Sequence, residues 1–366
     1  MGYTAVRGGL DAIEHAERLI DEMPLRSDNP LHLQQLRDHL QIAVDRVMSE
    51  GGLLDETIAG LAIKQAEGDL IEAAFLVRAY RSTLPRLGYS LTVTGRDMFV
   101  LRRISAIFRD IPGGQLLGKT RDYTQRLLNF DLAAATPWST SGPNGHNGPA
   151  ADDAEPPDFP VVIDFLREEG MVPPAPAEQA EDEPFDITRM PLRFPAPRSA
   201  TLQALTRGEA GSLLMLAYSS MRGYGGLGHG AIGELRAGQL PVRIAHPITG
   251  RPVTLGSVFV TEAHYLSGGH ASLQEGEAEE YLLGYGLVAG RDERKAIAMA
   301  IVDGSLTHAD GSGQPVTNQE FVLTHIDSIE SSGFVEHLKL PHYVTFQSGL
   351  QRSRKFRQLM EASTRG

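Results

Sequence analysis

Two histidines stand around a proline near the C-terminus, in Gly333-Phe-Val-Glu-His337-Leu-Lys-Leu-Pro341-His342-Tyr343. Five residues of spacing put the imidazoles on neither a shared helix face nor a shared strand face. Pro341 ends a helix or a ladder and drives Leu340 toward extended backbone. A turn at that point would bring both rings to one place, as a metal ion or an anionic substrate requires. The alternative is a polar turn carrying two unrelated surface histidines. His325, with Asp327 close by in sequence, is a candidate third ligand or general acid.

Two glycine-rich stretches could meet phosphate. Gly113-Gly-Gln-Leu-Leu-Gly118-Lys119-Thr120 satisfies the pattern G-x-x-x-x-G-K-[ST]. That pattern works when a buried strand delivers a loop whose amides face phosphate and a helix follows. A helix over 121–129 fits. A preceding strand does not, because Ile104, Ile107, Phe108 and Ile111 recur at helical spacing. An independent P-loop ATPase, with Asp303 as its Mg²⁺ partner, is therefore a remote alternative. Arg96, Arg102, Arg103, Arg109, Lys119, Arg121 and Arg126 outnumber Asp97, Asp110 and Asp122 in this stretch, which is locally basic. It is either a polyphosphate site or an ordinary basic helix surface. The second stretch, Gly223-Tyr-Gly-Gly-Leu-Gly-His-Gly230, is flanked by Arg222, Glu234 and Arg236, and its glycines allow close backbone approach to a ligand.

Across 366 residues, 41% are hydrophobic and 22% charged, and there is no cysteine. Disulfides, thiolate zinc sites and iron–sulfur ligation within the chain are excluded, so a metal must use His, Asp or Glu. A net charge of −12 argues against a general nucleic-acid binder. No segment has the ~18 unbroken apolar residues of a membrane helix, and a cytoplasmic protein is expected.

The elements that must position these groups read as α+β. Residues 1–131 form a mainly helical N-terminal region: Leu36, Leu40, Val44 and Val47 repeat at helical spacing until Gly51-Gly52 stops the run. Asp55 and Asp69 are helix caps. Residues 132–190 form a long irregular connection rich in Pro, Gly and acid, interrupted by a short helix at 161–169. Residues 191–366 form an α+β region. Ser199 caps its first helix, strands are expected at 240–246, 252–266 and 281–288, and helices at 291–306 and 318–329. The basic run at 352–357 is a solvated helix face or a subunit contact.

Several long blocks carry a family resemblance. They are Arg103-Ile-Ser-Ala-Ile-Phe-Arg-Asp-Ile-Pro-Gly-Gly-Gln-Leu-Leu-Gly118, Leu216-Ala-Tyr-Ser-Ser-Met-Arg-Gly-Tyr-Gly225, Gly284-Tyr-Gly-Leu-Val288 with Glu293-Arg-Lys-Ala-Ile-Ala-Met-Ala300, and Phe334-Val-Glu-His-Leu-Lys-Leu-Pro-His-Tyr343. The chain resembles the PhnI subunit family of the bacterial carbon–phosphorus lyase system over nearly its whole length outside 132–190. The resemblance implies a subunit of α-D-ribose 1-methylphosphonate 5-triphosphate synthase. Such a subunit displaces adenine from MgATP with an alkylphosphonate, and acts alone as a purine nucleosidase with water as nucleophile. It further implies partners of the PhnG, PhnH, PhnJ and PhnL types, and Zn²⁺ on His337 and His342 at the PhnJ contact. The resemblance also makes Lys119 a dispensable feature, which weakens the ATPase alternative. A second function class stays open: a non-catalytic scaffold lending its zinc site to the radical-SAM subunit.

Displacing adenine requires a proton for the leaving base, charge to hold the triphosphate and a nucleophile on the opposite face. The expected triphosphate contacts are Arg109, Gly113, Gly114, Gln115 and Lys119, with Arg222 next. The proton-donor candidates are Asp110, Glu234 and His325, unranked.

Overall fold

The computed structural model describes residues 9–23, 31–120, 122, 127–133, 159–174, 184–225, 227–268, 281–309, 311 and 313–364. Among the described residues five helices come first: α1 (Leu10–Glu22), α2 (Leu33–His39), α3 (Gln41–Gly51), α4 (Glu56–Gln65) and α5 (Leu70–Ser82). The expected caps are in place. The carboxylates of Asp55 and Asp69 each accept from two first-turn amides of α4 and α5, and Gly52 closes α3 at φ 70°. The single run expected through Leu40 is broken there, where non-helical backbone separates α2 from α3. The break lets both helices turn apolar faces inward. Leu36, Val44, Val47, Ala59, Ile63 and Val77 form one core cluster.

Beyond these come β1 (Phe99–Ile104), α6 (Val162–Glu168), α7 (Arg198–Arg207), α8 (Ala210–Ser219), β2 (Ala231–Ala245), β3 (Pro252–Gly268), β4 (Tyr281–Ala289), α9 (Glu293–Thr307), α10 (Gln319–His325), α11 (Ser328–Glu336) and α12 (Tyr343–Thr364). The described strands make one antiparallel sheet in the order β1-β2-β3-β4. Helices and an antiparallel sheet from separate stretches confirm the α+β class. Among the described residues, no helix is long and apolar enough to cross a membrane.

Four local expectations are corrected. The basic stretch around Arg102 and Arg103 is a strand, β1, and not a helix. Of the helix expected over 121–129, residues 127–129 are non-helical and most of the remainder lies outside the described residues. Ser199 does not cap α7. Pro197 stands at that position, and the Ser199 hydroxyl accepts a hydrogen bond from the Phe185 amide. The helix expected at 318–329 is two, because Asp327 leaves the helical conformation and caps α11.

The sheet has two different faces. On one, Ala263, Tyr265 and Val288 pack against Ala296, Met299 and Ala300 of α9. Gly284 and Gly286 of β4 face α9 with no side chain. A Cβ on either would collide with the carbonyl oxygen of Ala300 or Ala296. The other face is polar and covered by α6, whose Val162, Ile163 and Leu166 cluster with Ile111, Val172 and Leu266.

A polar seam joins the N-terminal helices to the rest. Arg291 donates to Asp45 from its amide and its guanidinium, at 2.9 and 3.0 Å. Lys295 of α9, wholly buried, donates to Ser49 Oγ at 2.8 Å, and Ser49 in turn donates to the Thr206 carbonyl. Glu50 accepts from Arg46 at 2.8 Å and from the Ala210 amide at 3.1 Å. Burial pushes Lys295 down to about 8, against the pull of Glu50.

Two predictions follow from this packing. Gly286→Ala should lower the free energy of unfolding by about 2 kcal/mol or more through overpacking, read from urea transitions. Between pH 8 and 10.5 the unfolded chain holds a proton that folded Lys295 has released, so this residue makes stability rise with pH across that window. The rise, on the order of 3 kcal/mol, should be absent from Lys295→Met when the two proteins are melted side by side.

Candidate functional site

The histidine turn forms as its sequence suggests. α11 ends in a short 3₁₀ turn over His337–Lys339, Leu340 is extended, and α12 starts just beyond Pro341 and His342. The two imidazole centroids are 5.4 Å apart. Each Nδ1 faces a backbone carbonyl, that of Phe334 for His337 and that of Leu340, at 2.6 Å, for His342. A carbonyl can only accept, so each neutral ring carries its proton on Nδ1 and leaves the Nε2 lone pair available. That is the tautomer a metal ligand needs, oriented by the backbone. Among the described residues no third His, Asp or Glu completes a cluster, and His325 is not brought into one. The described residues supply half of a four-coordinate site.

The glycine loop is built around a cation. β1 carries Arg103 into the polar sheet face, where it is fully buried. Its Nε donates to Glu234 Oε1 at 2.6 Å, Nη1 to the Pro112 and Gly114 carbonyls at 2.7 and 2.9 Å, and Nη2 to the Pro160 carbonyl at 2.6 Å. Leu116 pairs back onto Arg103 in an antiparallel bridge. A strand does precede the motif, contrary to expectation, yet the loop presents carbonyls to a guanidinium where a phosphate loop presents amides to an anion. The Gly114 amide is already used by Ile111. Gln115 holds the loop closed, accepting from Ser105 and donating to the Phe108 and Arg109 carbonyls. Gly113, Gly114 and Gln115 therefore serve the loop's own architecture in this conformation.

The other expected groups are dispersed. Arg109, Asp110 and Lys119 project into solvent on the outer side of the loop, with Arg109 and Asp110 3.8 Å apart. Glu234 is unsuited to donate a proton. Its two oxygens are taken by Arg103 and by the Val162 amide at 3.0 Å. Arg222 is exposed over the Tyr218 ring at the end of α8. His325 stacks on Phe321 at 4.2 Å and bonds its carbonyl through Nδ1. Asp303, considered for Mg²⁺, is buried between Arg198 and the Tyr285 amide, which donates at 2.9 Å. Arg102 is likewise consumed, by Asp122 and by Glu293 at 2.6 Å. Internal ion pairs thus absorb much of the basic surface expected here.

Sequence reasoning missed the polar sheet face. Its rows are Arg103, Arg236 and Glu262, then Glu234, His264 and Tyr285. Arg103 and Arg236 lie opposite each other across the strands, a repulsive pair. Glu234 and Glu262 relieve it, the latter accepting from Arg236 Nε at 3.0 Å. Burial opposes charge on Glu262, but His264, Arg236 and the Tyr285 hydroxyl hold its carboxyl below the usual range. Burial lowers His264, whose Nδ1 has no hydrogen-bond partner among the described residues. The only signal for this face was charge at alternate positions of a strand, Glu234-Leu-Arg236.

With this geometry in view, comparison with known proteins is specific. The model of the family described as "Bacterial phosphonate metabolism protein (PhnI)" matches residues 2–360. A putative C-P lyase subunit protein, HtxH, of Stutzerimonas stutzeri is 45% identical, covering 97% of this chain and 95% of that protein. The alpha-D-ribose 1-methylphosphonate 5-triphosphate synthase subunit PhnI of Escherichia coli K12 is 44% identical, covering 97% and 98%. Its namesake in Rhizobium meliloti is 42% identical, covering 100% and 97%. Similarity of that extent leaves no part of the described fold outside the match, and the chain belongs to the PhnI family of bacterial phosphonate metabolism proteins.

Proposed function

We propose that the chain is a subunit of a cytoplasmic carbon–phosphorus lyase complex. In it, the chain displaces adenine from MgATP with an alkylphosphonate to give α-D-ribose 1-methylphosphonate 5-triphosphate. Alone, with water as nucleophile, it releases adenine as a nucleosidase. The near-full-length identity to two synthase subunits carries the proposal. Displacement at C1′ builds positive charge on the sugar and negative charge on the leaving base. Asp110, exposed beside Arg109, and His325, exposed with only its Nδ1 engaged, are the expected donor groups that can still approach a substrate, and Arg109 and Lys119 offer exposed charge for the triphosphate.

His337 and His342 would hold Zn²⁺ through Nε2, with the remaining ligands coming from outside the described residues. A zinc ion bound there supplies Lewis-acid charge. The surface around the pair suits docking to PhnJ-, PhnG-, PhnH- and PhnL-type subunits. α11, the 3₁₀ turn and α12 bury no residue, and Phe334, Leu338, Val344, Phe346 and Phe356 stand exposed along them.

Incubation of the purified chain with MgATP should yield free adenine by chromatography. Arg109→Ala and Asp110→Asn should each lower the rate by 10-fold or more, while His337→Ala leaves it near wild type. A folded protein that releases no adenine would reduce the chain to a scaffold. Metal analysis should find zinc in wild type, strongly diminished in the His337→Ala/His342→Ala double variant; equal content in both would remove the metal assignment.

A further inference from the structure

A cavity of about 390 Å³ opens between the N-terminal helices and the α+β region, lined by α5, α7, α10, the start of α11 and the segment 187–194. One wall is apolar, with Met190, Leu192, Phe194, Leu323 and Ile326. The facing wall carries two arginines. Both terminal nitrogens of Arg78 are engaged: Nη1 donates to Asp327 at 2.7 Å and Nη2 to the Glu50 carbonyl at 3.0 Å, and only its Nε lacks a partner among the described residues. Those of Arg207 are not. Among the described residues no acceptor takes a hydrogen bond from its guanidinium and no carboxylate pairs with it, while its Nε is sealed from solvent.

The charges around Arg207 sharpen the contrast. Burial first, and then Arg78 and Arg81, push it down to about 10. Asp327 is engaged by Arg78, and Asp186 by Arg86. Glu330, at the exposed rim, is the remaining carboxylate of the lining. Arg81 has one long bond to the Gly52 carbonyl, at 3.4 Å, and no ion pair among the described residues. The approach of Arg81 and Arg207 depends on Gly52, where a Cβ would collide with Arg81 Nη1 and lie 3.7 Å from Arg207 Cδ.

A half-buried guanidinium with no acceptor, on which Arg78 and Arg81 act more strongly than Asp327 and Asp186, is unfavourable alone and favourable once an anion arrives. An apolar wall facing a few convergent polar groups, in a cavity of this size, is the usual form of a small-molecule site. We propose that this cavity binds a phosphate-bearing organic anion, with its phosphate on Arg207 in the field of Arg81 and its apolar part against Leu192, Phe194 and Leu323. Guanidinium matches phosphate in planar, two-point geometry, which favours phosphate over a diffuse anion. None of these residues lies on the glycine loop or the histidine turn. The site stands whether or not the chain displaces adenine.

Phenyl phosphate, inorganic phosphate and phenol can be titrated calorimetrically into the full-length chain. Phenyl phosphate should bind at least threefold more tightly than inorganic phosphate, and phenol alone should not bind measurably. Arg207→Gln should weaken phenyl phosphate at least 10-fold, and Arg207→Lys should recover part of the loss. Phenylglyoxal footprinting of the wild type avoids any folding defect of the variants: saturating phenyl phosphate should slow modification of Arg207. Unchanged modification, absent wild-type binding, or equal affinity for the two phosphates would overturn the proposal. Neither phosphate carries a base to release, so these outcomes are separate from those of the adenine experiment.

Discussion

The whole arrangement depends on a buried ammonium. Lys295 sits between α9 and α3 with Ser49 and Glu50 as its partners, and on either side of it Arg291 reaches Asp45 and Arg46 reaches Glu50. Hydrophobic packing would hold the two halves together without fixing their register. A desolvated charge tolerates few positions, because it is costly wherever its partners are missing. The seam therefore sets where α5 lies against α7, and with it the walls of the cavity that contains Arg78 and Arg207.

The sheet treats charge in the same way. Its polar face is a ladder in which two arginines and two glutamates alternate, closed over by α6 and by the carbonyls of the glycine loop. Arg103 organises that loop, and a motif that resembles an anion cradle becomes a cation cradle. Residues kept outside the ladder, such as Arg109 and Lys119, retain charge for other contacts. The histidine turn follows a different logic: its rings are oriented by the backbone and left on an exposed surface.

Much of the helical framework was legible because its signals are local. Asp55 and Asp69 cap, Gly52 terminates, and Pro341 breaks the chain between the two histidines. β3, β4 and α9 also fell near their expected limits, since apolar periodicity and β-branching mark them. β1 was hidden for a physical reason. Arg103 faces the buried carboxylate of Glu234 and Arg102 the partly exposed one of Glu293, both supplied by distant segments, so the strand lacks the apolar alternation that betrays a core face. The spacing of Ile104, Ile107 and Ile111 then mimicked a helix across what is a strand and a turn. The Arg207 cavity was illegible on the same ground: its residues come from four separate stretches, and nothing local distinguishes an unpaired arginine from a solvated one.

The missing side chains of Gly284 and Gly286 have a mechanical meaning. Ordinary helix–sheet packing places a layer of side chains between the two elements, and that layer can shear. Here β4 and α9 touch backbone to backbone, so strand and helix move as one rigid lever. The end of that lever carries Arg291 and Lys295 into the seam. The sheet thereby has a direct line of contact to α3 through Asp45 and Ser49, and the seam has the same line back to the sheet.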